Sequence, residues 1–392
     1  MRTCTLGRAG RLAGATLSAT LLAGAAFPAA IERAIPSTTR ILFEEGRYLE
    51  FGVSFIDPDQ SGDGATIPTA LSGAPIPLSF EGGTGDLFDG HWNFGAAYKA
   101  DINDQLSYAI IFDQPFGADT SYGPDIMTGV GPATGQVFSY DGTEADLDTY
   151  HFSGILAYDV TDQWKVYGGL RAQRLSATAS IPFVSGYDVD ADADWGYGYL
   201  LGAAYSRPEI ALRVALTYHS AIEHDLDTAE FTDALGAQNT RTDVTTPQAV
   251  SLEAQTGVAA NTLVFGSIRW VDWSEFEIAP PEYVTVTGGR PLVDYSDDWW
   301  TYNLGVGYQF REDLAASISV THEPSVGGEL TTLGPYDGRT TLNLGAAYDV
   351  NENLNLSGGL IYGRLGDTFN VLDTDFNDGS VWGAGLRVGY TF

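Results

Sequence analysis

Apolar and polar residues alternate with a period of two through most of this chain. At the C-terminus Trp382, Ala384, Leu386, Val388, Tyr390 and Phe392 share one flank, and Gly383, Gly385, Arg387, Gly389 and Thr391 the other. Trp300, Tyr302, Leu304, Val306, Tyr308 and Phe310 repeat the pattern against Thr301, Asn303, Gly305, Gly307 and Gln309. Ile210, Leu212, Val214, Leu216 and Tyr218 do so against Ala211, Arg213, Ala215, Thr217 and His219. Period two belongs to strands whose faces meet unlike surroundings, here one suited to hydrocarbon and one to water. The pattern predicts strands over 41–56, 90–100, 105–113, 144–160, 163–178, 194–206, 209–222, 246–258, 261–276, 297–310, 313–323, 339–350, 353–365 and 380–392. In 261–276 the apolar set changes face between Phe265 and Ile268, which predicts a bulge.

Short and long connections follow one another in strict alternation. Short turns fall at Asp101–Asp104, Thr161–Asp162, Arg207–Pro208, Ala259–Ala260, Arg311–Glu312 and Asn351–Glu352. Long polar loops fill 57–89, 114–143, 179–193, 223–245, 277–296, 324–338 and 366–379. That sorting fits an all-β fold, a transmembrane up-and-down antiparallel β-barrel of about 14 strands, with short turns at the periplasmic end and loops outside. Unpaired backbone groups are costly in hydrocarbon, so strands cross a membrane only as a closed sheet. Trp92, Tyr98, Tyr158, Trp164, Trp195, Tyr205, Tyr308, Tyr348 and Tyr390, near strand ends, suit interfacial girdles.

The first residues add an address. Arg2, Arg8 and Arg11 precede an apolar run from Leu12 to Phe27 and then small residues, the order of a secretory signal. The expected organisation is a cleaved signal peptide over 1–30, a short segment over 31–40 and the barrel over 41–392. Cleavage after Ala25 and cleavage nearer Ala30 both fit. Cys4, the one cysteine, would leave with the signal, so no disulfide supports the mature fold. A formal charge of −32, from 51 acidic and 19 basic residues, argues against nucleic acid as a partner. The acids concentrate between apolar stretches, as in Asp188, Asp190, Asp192 and Asp194, or Glu223, Asp225, Asp227 and Glu230.

Several segments resemble the FadL family of outer-membrane transporters. They are Ile41-Leu42-Phe43-Glu44-Glu45-Gly46-Arg47-Tyr48, Phe112-Asp113-Gln114-Pro115-Phe116-Gly117-Ala118-Asp119, Glu323-Pro324-Ser325, Pro335-Tyr336-Asp337-Gly338-Arg339, Leu344-Gly345-Ala346-Ala347-Tyr348 and Tyr362-Gly363-Arg364-Leu365-Gly366-Asp367. They stand in the family's order over most of the mature chain. The resemblance implies a passive route for long-chain fatty acids, aromatic hydrocarbons or other apolar compounds. In that route loops collect the ligand, an interior pocket holds it, and a kinked third strand opens the wall sideways. On this chain the lateral opening maps to Gln114, Pro115, Phe116 and Gly117. Proline has no N–H to donate, an independent reason for a gap in the ladder; the alternative is that Pro115 simply ends the strand. Family members carry an N-terminal plug of some forty residues, whereas Ile31–Arg40 is too short for one and long enough only for a tail reaching into the lumen.

The remaining chemistry is sparse. Alternation turns Arg171, Arg213 and Arg387 inward, and Arg171 and Arg213 are the candidate ligand-binding residues for a fatty-acid carboxylate. The alternative for both is pairing with luminal carboxylates. Asp57-Pro58-Asp59-Gln60-Ser61-Gly62 begins like a calcium loop, but the twelfth position is Pro68 and not Glu, so an EF-hand is excluded. The alternating acids from Asp188 to Asp194 are either a surface calcium site or a solvated loop. No metal site or cofactor is assigned. Catalytic motifs are absent, and His219 with Ser220 is the sole adjacent pair of its kind, so no enzyme is expected. The expected protein is a monomer that takes up a hydrophobic ligand, fatty acids favoured over aromatic hydrocarbons, among outer-membrane lipid and lipopolysaccharide after delivery by the outer-membrane assembly machinery. A water-filled porin is the first alternative and an outer-membrane lipid hydrolase the second.

Overall fold

The computed structural model describes residues 31–34, 38–67, 78–122, 129–130, 137–138, 140–327, 329–334 and 337–392. The expected signal over 1–30 lies outside them. Seventeen strands form one antiparallel sheet that closes on itself. In chain order they are β1 (Tyr48–Asp59), β2 (His91–Asp101), β3 (Leu106–Asp113), β4 (Gly117–Ser121), β5 (Glu144–Asp159), β6 (Trp164–Ile181), β7 (Tyr187–Arg207), β8 (Leu212–His219) and β9 (Ile222–Thr232). There follow β10 (Gly236–Thr246), β11 (Ala249–Ala259), β12 (Thr262–Val271), β13 (Trp299–Arg311), β14 (Leu314–Glu323), β15 (Arg339–Asp349), β16 (Leu354–Leu365) and β17 (Ser380–Thr391). β4 continues β3 after a break, and β9 with β10 is a hairpin standing on the rim; the other 14 make the barrel. Closure runs from Tyr48↔Thr391 to Asp59↔Ser380 between the first and last strands.

Burial follows the alternation. Along β13, Trp300, Tyr302, Leu304, Val306, Tyr308 and Phe310 are exposed on the outer wall while Trp299 and Thr301 are buried inside. Trp382, Leu386, Val388, Tyr390 and Phe392 face outward at the C-terminus. These flanks sit in lipid, where an arginine at mid-depth would cost about 2–4 kcal/mol. Aromatic pairs mark the strand ends, among them Trp164 with Tyr205 and Phe55 with Trp92, ring centres 5.0 and 5.1 Å apart.

Several boundaries differ from the sequence pattern. The first strand begins at Tyr48; Thr38–Ile41 is one turn of helix, α1, and Ile41 and Leu42 are fully buried within the barrel. The expected loop over 179–193 is mostly strand, because β6 and β7 run on to a turn at Pro182–Gly186. Likewise 223–245 is the β9–β10 hairpin. About 9–11 residues suffice to cross the hydrocarbon, whereas β6 has 18 and β7 has 21, so both stand well clear of the membrane on the outer side. The expected loop over 277–296 contains a short helix, α2 (Pro281–Val286). β12 ends at Val271, with a 3₁₀ turn over Trp273–Glu275 after it. No bulge interrupts β12 between Phe265 and Ile268, since its register is continuous there with both neighbours; the shift lies at Gly257/Ala259. The apolar set changes face because Leu263 and Phe265 point into the lumen, and Phe265 lies against Gly305, whose missing side chain leaves room for the ring. Among the described residues no helix is long and apolar enough to cross a membrane.

Candidate functional site

Three features occupy the interior: a tail, a break in the wall and an apolar cavity. The tail enters through Ile31–Ala34 and fills the short-turn end with residues 38–47. Arg40 pairs with Glu50, and Arg387 lies 3.9 Å from the same carboxylate. Lys165 Nζ donates to Leu42 O at 3.0 Å and Lys99 Nζ to Glu44 O at 2.8 Å. Gly46, at φ 64°, turns the chain back into β1.

The wall breaks beside β2. Pairing of β2 with β3 covers Ala96↔Phe112 to Asp101↔Ser107; β4 then pairs with β5 along its length and rejoins the chain only ahead of β2, where Asp89 N donates to Asp119 O at 3.2 Å and Ser121 N to Leu87 O at 2.9 Å. Residues 91–95 of β2 keep β1 on their other side. Gln114 spans the start of the break, its Oε1 accepting the Phe94 N–H at 2.8 Å. Pro115 and Gly117 turn to the tail: Arg33 N donates to Pro115 O at 2.6 Å, and Gly117 N to Ile31 O at 2.8 Å. Phe116 is buried, with its ring edge-on to Trp273 at 5.9 Å between centres. Pro115 therefore does not simply end the strand, because the same strand resumes at Gly117.

The cavity lies above the break on the outer side. Counting its open mouth, it holds about 670 Å³ of space not filled by protein atoms. Its floor and near wall are Ile31, Ala118, Leu147, Leu175, Ala177 and Ala179. Val189 and Ala191 of β7, Leu226 and Val244 of the hairpin, and Ile278, Leu292, Val293 and Tyr295 of the outer loop complete it. The loop is held by an aromatic stack in which Trp273 packs on Phe276 and Tyr295 at 5.3 and 5.2 Å. Burial raises the Tyr295 phenol well above its ordinary range and moves Tyr283 up to about 12. Both remain neutral at physiological pH.

Polar groups around the cavity are satisfied among themselves. The Thr228 and Thr242 hydroxyls meet at 3.0 Å, and Thr331 donates to Leu292 O at 3.0 Å. The charged lining residue is Asp146, whose side chain is exposed outside. Among the described residues no lysine or arginine lines the space.

Arg171 and Arg213 are both luminal, yet the structure brings neither to the cavity. Arg171 Nε donates to His151 Nε2 at 3.1 Å and Nη1 to Ser220 O at 2.9 Å. His151 Nδ1 faces Asp113 Oδ1 at 2.7 Å, so this network reaches the residue before Gln114. Arg213 lies over the Phe43 ring, 4.6 Å from its centre, and donates to Gln255. Ser220 Oγ donates to Ala221 O and accepts the Tyr199 N–H. Among the described residues no group of His, Cys, Asp and Glu is set to hold a metal. Sequence reasoning missed Glu32 and Arg33, which hold the tail, and the Trp273 and Tyr295 stack. The charged pair after an apolar run was a signal for the tail; the stack carried none, since its members come from one irregular loop.

A closed barrel with a greasy outer flank, a tail in its lumen, an apolar chamber and a broken ladder beside it is an outer-membrane channel. Over residues 39–368 the chain matches the family described as outer membrane protein transport protein (OMPP1/FadL/TodX), and it belongs to that family. The resemblance read from the sequence is therefore correct. A Pseudomonas aeruginosa FadL homologue has the same fold, with a TM-score of 0.69 at 15% identity over 89% of this chain and 91% of that one. The Pseudomonas putida toluene transporter TodX gives 0.61 at 12% identity over 90% and 91%. The Ralstonia pickettii toluene transporter TbuX gives 0.58 at 14% over 90% and 90%. No curated protein matches in sequence. The chain is an outer-membrane β-barrel of the FadL/TodX type for hydrophobic small molecules.

Proposed function

We propose that this barrel passively admits uncharged apolar compounds, holds them in the outer chamber and releases them sideways through the break at Gln114, Pro115, Phe116 and Gly117. The observation that carries the substrate reading is the lining: apolar side chains with internally bonded hydroxyls and no cation. Burying an apolar molecule there gains roughly 25 cal/mol per Å² of surface removed from water. A carboxylate brought into such a space would lose its hydration without a partner. Sideways release is supported by the ladder's interruption along residues 91–95 of β2 and by the filled short-turn end, which leaves an apolar ligand facing lipid and not a watery exit. Monoaromatic hydrocarbons fit this reading, as with the toluene transporters TodX and TbuX.

Long-chain fatty acids are the second reading, favoured by the luminal position of Arg171 and Arg213. A carboxylate would then take over the bond Arg171 makes to His151 or Ser220. Uptake of labelled toluene, oleate and a small sugar, by cells with the parent protein or with Arg171→Gln, separates the readings. Toluene uptake that depends on the barrel and is kept in the variant is the expected result. Oleate uptake falling about tenfold in the variant, a loss of about 1.4 kcal/mol, would make fatty acids the substrate. Faster sugar entry alone would make the protein a porin. The route is tested with cysteines at Gly95 and Asp113, one step beyond the last β2–β3 pair. Oxidation should stop toluene uptake and reduction restore it; uptake unchanged by complete crosslinking excludes sideways release.

A further inference from the structure

Arg33 sits in the break, and its placement goes beyond the route just proposed while resting on it. The tail backbone binds the kink through Pro115 O and the Gly117 N–H, but the Arg33 side chain crosses to the other flank of β4. Gly117 stands opposite Asp148 and Ala118 opposite Leu147 in the ladder. Ala118 and Leu147 face the chamber. Gly117, Asp119 and Asp148 therefore share the flank turned away from it. There Arg33 Nη2 meets Asp119 Oδ2 at 2.5 Å, and Nη1 lies 3.9 Å from Asp148 Oδ1. A Cβ on Gly117 would lie 2.3 Å from Arg33 Cζ and Nε, so the guanidinium occupies the volume a side chain at 117 would need. Although long and charged, Arg33 is 6% exposed.

We propose that Arg33 is the latch of the lateral opening: its guanidinium, held by Asp119 and Asp148 over Gly117, fills the wall where β2 lacks a strand partner, and a ligand leaves only when that group swings away. A buried guanidinium keeps its place while its carboxylates remain, because breaking such a pair strands a charge away from water. Removing the arginine leaves a side-chain-sized gap between lumen and lipid. Removing Asp119 and Asp148 takes away both carboxylates within 4 Å of the guanidinium and leaves it only the more distant Asp146 on the same flank.

The test reads the opening directly and does not require transport. In a Cys4→Ser background, a single cysteine replaces Asn93, which is buried on β2 beside the break between the outward-facing Trp92 and Phe94. Purified barrels in vesicles are treated with a pyrene maleimide dissolved in the lipid. Arg33→Ala, and separately Asp119→Asn with Asp148→Asn, should raise the labelling rate about tenfold by shifting the closed–open balance, and Arg33→Lys much less. A charged maleimide confined to water should react no faster. Equal lipid-phase rates in all variants overturn the latch, as does acceleration of the water-confined reagent, which means a loosened lumen. Should Arg33→Ala not fold, the two-asparagine variant decides the matter. The readout is independent of the Gly95–Asp113 crosslink, so a failed release route and a failed latch give different results.

Discussion

Glu32 and Arg269 meet inside the barrel, 237 positions apart, with Arg269 Nη2 2.5 Å from Glu32 Oε1 and neither side chain more than 5% exposed. Arg269 also donates to Ser251 Oγ at 2.9 Å. Consecutive residues thus tie the tail to two parts of the wall, Glu32 to β12 and Arg33 to β4. Losing one partner of a buried pair typically costs about 3–5 kcal/mol, while removing both together costs far less. Glu32→Gln and Arg269→Met should each release the tail, seen as faster proteolysis near residue 31 and a lower urea midpoint. The double variant should recover most of the loss. Single variants indistinguishable from the parent would mean that the pair does not hold the tail.

Ala191 lines the chamber from β7 and is buried among apolar neighbours. Ala191→Trp places an indole where a ligand would lie, and overpacking of this kind costs about 1–3 kcal/mol. The barrel should still fold, judged by its heat-modifiable mobility on gels, and toluene uptake should fall at least about tenfold, the equivalent of some 1.4 kcal/mol in binding. Undiminished uptake by a folded variant would remove the chamber from the route.

Asp298 pins the turn that carries Trp273. It accepts from Trp270 Nε1 at 2.9 Å and from Ser274 Oγ at 2.7 Å. Partial burial pushes its carboxyl upward, but the hydrogen bonds from Ser274 and Trp270 outweigh it and hold the group below its ordinary 3.8. A lowered value means that the contribution is fully present above 3.8 and is lost as pH falls through the lowered value. Trp273 emission, taken as the difference between parent and Trp273→Phe, should therefore be constant above that range and change below it. Asp298→Asn should abolish the acid step; an identical step in that variant would assign it to another group.

The membrane-crossing segments were legible because their two environments differ everywhere along them. Lipid outside and lumen inside impose period two on β13 or β17 whatever lies next to them, and the short turns follow from closure. Above the membrane the same backbone pattern lacks the apolar flank that marks a strand in the sequence. Glu223, Asp225 and Asp227 alternate with His224, Leu226 and Thr228 just as strand residues do, but water replaces lipid outside, so acids took the place of the expected apolar residues. Asp188 and Asp190 likewise face outward while Val189 and Ala191 line the chamber.

By itself the sequence determined the barrel and its strand count, since both follow from short-range chemistry repeated along the chain. Only the tertiary structure decided which luminal residues make a chamber, that Arg171 and Arg213 are held elsewhere, and that a short tail runs from the break to the short-turn end. Those outcomes depend on contacts between residues as distant as Glu32 and Arg269, and no local periodicity records which inward-facing groups closure will bring together.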